Sequence, residues 1–210
     1  MNMSTGVKKK IGILIEEHFD EIEFNRFIDY FPSMGYEIEF ITRLWGNKTL
    51  TFKGVEHQAE VTVYKDVSDV DIGDYSGFIL IGAYAMDRLR YEENPVKDQP
   101  NNSPAIRLIR EIMSTQGKKL GTICHSLWML TSAPDLLKGR SVTCAHNILY
   151  DVQNAGANVI FDGDKTTKYH VDGDLICGNH PNMVDEFMQL FINEIEKQGD
   201  TVAEPEKVAV

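Results

Sequence analysis

Residues Leu120–Leu130 read LGTICHSLWML and place one cysteine between two different structural patterns. The first four residues are small or apolar and follow a Gly-Lys-Lys segment, which predicts a short buried strand. Leu127, Trp128 and Leu130 then recur at helical spacing. Cys124 therefore lies on a predicted sharp strand-to-helix turn, which would present its side chain at the end of a sheet.

Two interpretations of Cys124 fit this stretch equally well. A turn of this kind would hold the sulfur over the positive end of a helix and favour the thiolate, which is the reactive form of cysteine. Free cysteines are also among the most buried residues in proteins, so Cys124 could equally be a packed core thiol. The rest of the chain has to decide between a nucleophile and a core residue.

Length and composition indicate one globular domain. The chain has 210 residues, of which 42% are hydrophobic and 25% charged. We expect a single domain over residues 1–197, followed by a polar tail over residues 198–210 that frays. The net charge of -11 argues against nucleic acid or an anionic membrane surface as the main partner.

Cysteine usage and hydropathy predict a cytoplasmic protein. The three cysteines form no CxxC pair, so neither a disulfide framework nor a zinc site is expected, and a reducing compartment fits best. The apolar run Ile11–Ile15 is too short for a secretory signal, and no run reaches the length needed to span a membrane.

Apolar runs alternate with helical patterns along the chain. Ile11–Ile15 and Gly77–Ile81 are continuous apolar runs, as expected for parallel strands covered on both faces. Tyr36–Thr42 alternates as another strand, and the helix pattern before it is ended by Pro32–Gly35. The first forty residues therefore predict a βαβ unit, and the whole pattern predicts a doubly wound α/β fold.

The remaining elements are predicted from the same signals. In chain order they are a hairpin over Lys48–Val63 with Gly54 at its turn, a loop over Glu92–Pro104, a helix from Pro104 to Met113, a strand over Ser141–Cys144, a helix over Asn147–Ala155, a strand over Asn158–Phe161, a hairpin of Lys168–Val171 with Leu175–Gly178, and a helix over Met183–Glu196. Sites in such folds lie beyond the carboxyl ends of the strands. Glu23, Ala83 and Cys124 each follow a predicted strand closely.

The segment around Cys124 resembles the nucleophile elbow of the ThiJ/PfpI superfamily, A-I-C-H-G-P-x-x-L, on its PfpI-like branch. Four further blocks are similar in order and spacing to F-E-D-x-E, P-G-G-x-A-P-D/E-R/K-L-R, D-x-x-N-A-G-A and S-R-x-P of that family: Phe19–Glu23, Ile81–Arg90, Asp151–Ala157 and Asn179–Pro181. The resemblance covers about residues 9–197. It implies a flavodoxin-like three-layer sandwich, in which a mostly parallel sheet carries helices on both faces, as in class I glutamine amidotransferases.

The resemblance also implies roles for individual residues. Cys124 would be the nucleophile, and Glu23 matches the elbow glutamate, which stays protonated, donates a hydrogen bond to the sulfur and passes a proton in turnover. Without the resemblance, Glu23 is more simply a solvated acid in the first turn of a helix. The backbone N–H groups of Ala83 and His125 would form an oxyanion hole. Ala83 replaces a usual glycine, which matters if that position needs a positive φ.

A second subunit is implied for His125. In PfpI-like proteins this histidine is oriented by an acid from a neighbouring subunit, and the matching residue is Asp87. The resemblance thus implies a Cys–His–acid triad shared across a homodimer or larger homo-oligomer. The alternative is a local ion pair of Asp87 with Arg88 or Arg90. Side chains that are adjacent in sequence diverge on a helix, so His125 need not contact Cys124.

Four further residues are candidates for the pocket wall. They are Asp20, Tyr84, Trp128 and His180. Asp20 departs from the usual glutamate of its block. Trp128 at helical spacing is more often a core residue, and His180 is as readily a loop histidine. No metal and no cofactor are predicted.

The leading functional prediction is a cofactor-independent cysteine enzyme acting on a small electrophilic substrate. Glyoxalase III, deglycase and isonitrile hydratase chemistry all fit this family. Isonitrile hydratases usually carry Cys-Thr at the elbow, and a small pocket would disfavour the peptidase activity attributed to PfpI itself. The alternatives are a redox-sensing stress protein, in which Cys124 is oxidised to a sulfinic acid beside Glu23, and a regulatory domain that binds a small molecule.

Overall fold

A computed structural model describes residues 9–197 of the chain. The predicted polar tail over residues 198–210 lies outside the described residues. The assignment of residues 1–197 to a single domain stays a prediction.

A central sheet of seven strands organises the described residues. In chain order the strands are β1 (Lys10–Leu14), β2 (Glu37–Thr42), β3 (Leu50–Lys53), β4 (Glu60–Val63), β5 (Lys65–Asp66), β6 (Gly77–Leu80), β7 (Leu120–Ile123), β8 (Ser141–Val142), β9 (Asn158–Val159), β10 (Phe161–Asp162), β11 (Lys165–Thr166), β12 (Tyr169–Asp172) and β13 (Leu175–Gly178). The central sheet has the order β12-β13-β7-β6-β1-β2-β5. Its neighbours run parallel, except that β12 is antiparallel to β13. The pairs β3–β4, β8–β9 and β10–β11 lie outside it.

Helices cover both faces of the central sheet. They are α1 (Glu21–Ser33), α2 (Pro104–Ser114), α3 (Trp128–Thr131), α4 (Leu149–Asn154) and α5 (Val184–Glu196). On one face α1 packs against α5, and α5 also contacts β7 and β13; on the other face α2 contacts β7, and α3 packs against α4. The fold is therefore the flavodoxin-like α/β sandwich that the sequence predicts.

Coverage on both faces explains why the central strands are continuous apolar runs. Every residue of β6 and β7 is buried. Gly121 lets α5 approach β7 closely, because a β-carbon at this position would lie 2.8 Å from the Phe187 ring. Glycine is therefore needed at position 121 because α5 packs closely against β7 there, and not because the backbone has an unusual conformation.

The helix predicted directly after Cys124 is much shorter than expected. The chain first makes tight i to i+3 turns, in which the N–H groups of Trp128 and Met129 donate to the carbonyls of His125 and Ser126 at 2.9 and 3.0 Å. The α-helix that follows has only four residues. Because i to i+3 turns are wound more tightly than an α-helix and α3 has only four residues, the helix that directly follows Cys124 is too short to direct a large dipole at the cysteine.

Several other predicted elements have different boundaries, among them the strand expected over Ser141–Cys144, which spans only Ser141–Val142. The strand expected over Asn158–Phe161 divides at Ile160, whose N–H donates to Val142 O at 2.9 Å, so that β9 pairs with β8 while β10 turns into a separate hairpin with β11. The helix expected from Asn147 begins instead with a 3₁₀ turn over His146–Ile148, and α4 follows it.

The helices of the described residues can be judged by the length and apolar character that a membrane-spanning helix needs. Within residues 9–197, no helix combines the length and apolar character that crossing a bilayer requires.

Candidate active site

Cys124 lies on a strained elbow directly after β7. Its φ is 56°, which lies in the left-handed region that costs a non-glycine residue about 1–2 kcal/mol. The Cys124 N–H donates to Gly178 O at 2.9 Å. The buried Ser126 hydroxyl accepts the Ile123 N–H at 2.8 Å and donates to Ile123 O at 2.9 Å, which closes the turn. Strain of this kind is typical of a nucleophile elbow. The role of Ser126 in closing the turn through its hydroxyl group was not predicted from the sequence.

Glu23 lies beside the cysteine and is fully buried. It stands in the first turn of α1, where its Oε2 accepts the Gly82 N–H at 2.6 Å and its Oε1 has no hydrogen-bond partner among the described residues. Burial, and after it the negative charge of Asp20, raise the pKa of Glu23 well above its usual value. Burial therefore favours the protonated carboxyl group, and the interpretation of Glu23 as a solvated helix acid is wrong.

Two backbone N–H groups face the Cys124 sulfur, those of Ala83 and His125. Ala83 has a φ of 54°, so this position does need the positive φ that a glycine adopts freely. The alanine holds the same conformation, and its N–H still reaches the sulfur. The two groups nominated for the oxyanion hole thus converge on the predicted nucleophile.

Burial disfavours the resting thiolate that the strand-to-helix turn predicts. Burial first, and then Glu23 and Asp20 where these are ionised, raise the pKa of Cys124 to about 12, against the opposing hydrogen bonds from the Ala83 and His125 N–H groups. A protonated Glu23 adds no charge, so burial is the main cause where Glu23 keeps its proton. The thiol form is therefore favoured near neutral pH. The elbow needs a base to release the proton when the sulfur attacks.

His125 is placed to be that base. Its Nδ1 lies 3.5 Å from Cys124 Sγ, so the two adjacent side chains do meet, contrary to what helical geometry suggested. Its Nε2 lies 2.5 Å from the side-chain amide nitrogen of Asn147. Burial and the nearby His146 lower the pKa of His125, which favours the neutral ring that can accept a proton. The sequence analysis missed Asn147, because an asparagine opening a predicted helix is typical of a cap.

A cavity of about 540 Å³ opens beside these groups. Its wall includes Ala83, Tyr84, Asp87, His125 and Trp128, together with Glu16, Glu17, His18, Met86, Arg88 and Ile148. The exposed Tyr84 ring lies 5.6 Å from the His125 ring, and the guanidinium of Arg90 covers the Trp128 ring at 3.6 Å. Five predicted site residues thus share this wall. Cys124 and Glu23 are not part of it, although Cys124 is next to His125, which is.

Two pocket candidates do not line this cavity. Asp20 caps α1, where its Oδ1 accepts the Glu23 N–H at 3.0 Å, and it acts on the site through its charge. His180 lies in the wall of a different cavity, of about 300 Å³, where its Nδ1 accepts the Asn182 N–H at 3.2 Å. Asp20 is therefore a positioning residue for α1, and His180 belongs to the neighbouring surface.

Glu16 and Arg88 form an ion pair in the cavity wall that the sequence analysis did not single out. Glu16 is 1% exposed, and its Oε1 accepts from Arg88 Nη1 at 3.1 Å, while its Oε2 has no hydrogen bond of good geometry within residues 9–197. Burial raises the pKa of Glu16, and Arg88 opposes that rise. The sequence signal that could have identified Glu16 is the position of an acidic residue directly after a predicted buried strand.

Asp87 is exposed and lies at the edge of the cavity. Among the described residues its carboxylate makes no ion pair with Arg88, which binds Glu16, nor with Arg90. The local ion pair considered as an alternative is therefore not formed. The predicted contribution of Asp87 to a second subunit stays a prediction.

Metal binding was also considered. Within the described part of the chain, no three side chains of histidine, cysteine, aspartate or glutamate converge in an arrangement that could hold a metal ion.

Comparison with known proteins adds an independent observation. The family model described as the DJ-1/PfpI family matches residues 9–194. "Protein/nucleic acid deglycase 2" of Escherichia coli (strain K12) is 30% identical over 178 residues, which are 82% of this chain and 95% of that protein. "General stress protein 18" of Bacillus subtilis (strain 168) is 29% identical over 152 residues, covering 72% of this chain and 80% of that protein.

Solved structures agree with the architecture. Drosophila melanogaster DJ-1beta superposes with a TM-score of 0.71 at 15% identity, covering 94% of this chain and 99% of that one. At this identity the likeness concerns the fold alone.

Proposed function

The chain belongs to the DJ-1/PfpI family, and from that membership and the geometry of the site we propose that it is a cofactor-independent cysteine enzyme acting on small carbonyl electrophiles. The observation that carries the proposal is the environment of the Cys124 sulfur. A protonated carboxyl group, an imidazole nitrogen and two backbone N–H groups surround it, from Glu23, His125 and Ala83. The named activity of the Escherichia coli relative, a deglycase, fits this chemistry.

The first step is addition of the thiol to an aldehyde. The Cys124 proton passes to Nδ1 of His125 while a bond forms between sulfur and the carbonyl carbon, and the π electrons of the carbonyl move onto its oxygen. The N–H groups beside the sulfur, from Ala83 and His125, can bind this oxygen as its charge develops. Glu23 then gives the oxygen its proton, which yields a neutral hemithioacetal.

The second step differs between substrates, and a 2-oxoaldehyde needs no external redox partner. A base removes the hydrogen on the carbon bound to sulfur as a proton, and a proton is returned to the neighbouring carbonyl carbon. The hydroxyl group on the first carbon loses its proton as it becomes a carbonyl, and the oxygen on the second carbon gains a proton. The first carbon is thereby oxidised to a thioester, and the second is reduced to an alcohol. One water then hydrolyses the thioester, which releases a 2-hydroxy acid and restores the Cys124 thiol. In deglycase chemistry the substrate would instead be a hemiaminal formed by an aldehyde and an amine: the sulfur would bond to its carbon, the carbon–nitrogen bond would break, and the amine would leave with the thiol proton, which gives the same hemithioacetal.

The size and chemistry of the site favour this proposal over its alternatives. A cavity of about 540 Å³ suits a small molecule better than a peptide chain, so peptidase activity ranks lower. A buried thiol with a raised pKa reacts slowly with peroxide, which makes the redox-sensing function the second candidate. The three cysteines are all free and buried, which is compatible with the cytoplasmic location that we propose.

The test compares substrates and cysteine variants in parallel. Purified protein is incubated with methylglyoxal and with phenyl isonitrile, and with Cys124→Ser and the buried Cys144→Ser as matched variants. We expect methylglyoxal turnover that Cys124→Ser abolishes and Cys144→Ser retains. Turnover by Cys124→Ser would refute the mechanism. Absence of turnover, with rapid peroxide oxidation of one thiol seen by mass spectrometry, would support the sensor instead.

The shared active site is a separate proposal. The exposed carboxylate of Asp87, which is free of ion pairs within residues 9–197, is available to a second copy of the chain. Gel filtration of the wild type and of Asp87→Ala tests it, and a fully active, strictly monomeric protein would refute it.

A further inference from the structure

Both ring nitrogens of His125 have partners within its own chain. Nδ1 lies 3.5 Å from Cys124 Sγ, and Nε2 lies 2.5 Å from the side-chain amide of Asn147. A ring held at both nitrogens has a fixed orientation. We propose that Asn147 is a positioning residue that directs His125 at Cys124 from within the same chain.

The local structure fixes Asn147 relative to the elbow. Asn147 lies in the 3₁₀ turn His146–Ile148, directly after Ala145, whose N–H donates to Cys124 O at 3.3 Å. Ile148 is buried and lines the catalytic cavity, which anchors the other side of the turn. Asn147 itself is exposed. Its side chain is therefore held at the site without contributing to the core, and its replacement leaves no internal cavity.

A carboxamide group can form a hydrogen bond with either neutral tautomer of the His125 ring, because it carries both an acceptor oxygen and a donor NH₂ group. It can present its oxygen to an Nε2–H, which leaves Nδ1 unprotonated and able to take the Cys124 proton. It can also present its NH₂ group to an unprotonated Nε2, which leaves an Nδ1–H that can donate to the thiolate sulfur. With its oxygen at Nε2–H, Asn147 supports His125 both before the proton transfer and as the imidazolium that the transfer forms. With its nitrogen at Nε2, Asn147 supports the other neutral tautomer, whose Nδ1–H donates to the sulfur.

A carboxylate would act differently. It accepts hydrogen bonds only, and its charge favours the imidazolium form, which cannot take the thiol proton. The resemblance to PfpI-like proteins implies such an acid, Asp87, from a second subunit. In this chain the place beside Nε2 is already occupied by a neutral amide. Other charged or titratable groups around the ring are Glu16, Glu17, His18, Tyr84, Asp87 and Arg88 in the cavity wall, and His146.

The first test needs no substrate. Nitrogen-15 NMR of the histidine rings, with the His125 signals assigned by their loss in His125→Gln, reports the tautomer and the pKa of His125. We expect Asn147→Asp to raise that pKa by about one unit. We expect Asn147→Leu to change the tautomer populations, and the exposed Asn154→Leu on α4 to change neither. His125 signals that are identical in Asn147→Leu and Asn154→Leu, or that respond only to Asp87→Ala, would overturn the proposal.

The second test rests on the proposed function. With methylglyoxal, we expect Asn147→Leu to lower kcat about tenfold with little change in KM, corresponding to the loss of one hydrogen bond. Asn147→Gln, which keeps the carboxamide, should recover part of the rate. Asn147→Asp should shift the acidic limb of the pH profile of kcat/KM upward by about one unit. If the wild type turns over nothing, the proposed function fails while the NMR result still decides the role of Asn147. An unchanged kcat in an active Asn147→Leu protein would contradict the proposed positioning role of Asn147.

Discussion

Glu23 and Cys124 lie on the same side of Gly82, one extending from α1 and the other from the elbow after β7. A β-carbon on Gly82 would lie 2.6 Å from Glu23 Oε1 and 3.0 Å from Cys124 Cβ. The absence of a side chain at this position is what allows the acid and the thiol to approach each other.

Replacement of Gly82 by alanine should therefore separate the two groups. We expect Gly82→Ala to lose about 1–3 kcal/mol of unfolding free energy through overpacking, and at least about tenfold in turnover. Chemical denaturation and methylglyoxal assays measure the two effects. Gly73→Ala is the matched control, because its β-carbon would meet only the Asp71 carboxylate, at 3.1 Å. A Gly82→Ala protein with wild-type activity would show that this close approach is unnecessary.

The buried carboxyl group of Glu23 should make the protein less stable as the pH rises. The folded state binds this proton more tightly than the unfolded state, whose pKa is near 4.5, so stability falls between pH 4.5 and the raised folded pKa. The slope contributed by one proton is at most about 1.4 kcal/mol per pH unit. Glu23→Gln should remove this contribution and be more stable than the wild type at pH 8. Melting temperatures measured from pH 4 to 9 test it, and parallel curves for both proteins would contradict it.

The two hydrogen bonds between the Ser126 hydroxyl group and the backbone of Ile123 should stabilise the elbow. Ser126→Ala leaves the buried Ile123 N–H without its partner, and we expect a loss of about 1–3 kcal/mol of unfolding free energy. Ser132→Ala is the comparison, since that half-buried hydroxyl only donates to Met129 O, at 3.0 Å, and its loss should cost less. Urea denaturation distinguishes them, and equal losses would argue against a special role for Ser126.

The ion pair of Glu16 with Arg88 should matter more at high pH. Arg88→Met leaves a buried carboxylate without its cation, so we expect a loss of about 1–2 kcal/mol at pH 8, allowing for the exposure of Arg88. The loss should shrink as the pH is lowered to 5, because the raised pKa of Glu16 favours uptake of a proton and a neutral carboxyl group does not need the cation. Arg26→Met, which breaks the exposed pair with Asp185, should cost less than about 0.5 kcal/mol at either pH. A cost for Arg88→Met that does not change with pH would contradict this account.

Continuous apolar runs were sufficient to predict the central strands and the end of the sheet at which the site forms. β1, β6 and β7 are buried on both faces, so their sequences carry a signal that does not depend on distant partners. The proximity of Glu23 and Cys124 follows from strand order together with family resemblance.

Features that depend on distant contacts were not predictable from sequence patterns. The spacing of Leu127 and Trp128 suits an α-helix, but hydrogen bonds fold this segment into tighter turns. Asn147 has the sequence signal of a helix cap, and only the three-dimensional structure places its amide beside His125. The resting state of the Cys124 thiol is set by burial and neighbouring charges, which a motif does not reveal.

The strand that carries the nucleophile is paired on both sides, with β6 and β13. The turn that carries Asn147 lies between β8 and β9, a short pair outside the central sheet. Amide hydrogens of β7 should therefore exchange with solvent only in the rarest, most global openings, and those around Asn147 in smaller and more frequent ones. On gentle heating the protein should pass through a form that keeps its reactive sulfur in place while the ring beside it rotates freely. In such a form the Cys124 thiol would still react slowly with electrophiles, but without the rate enhancement that an oriented His125 ring provides.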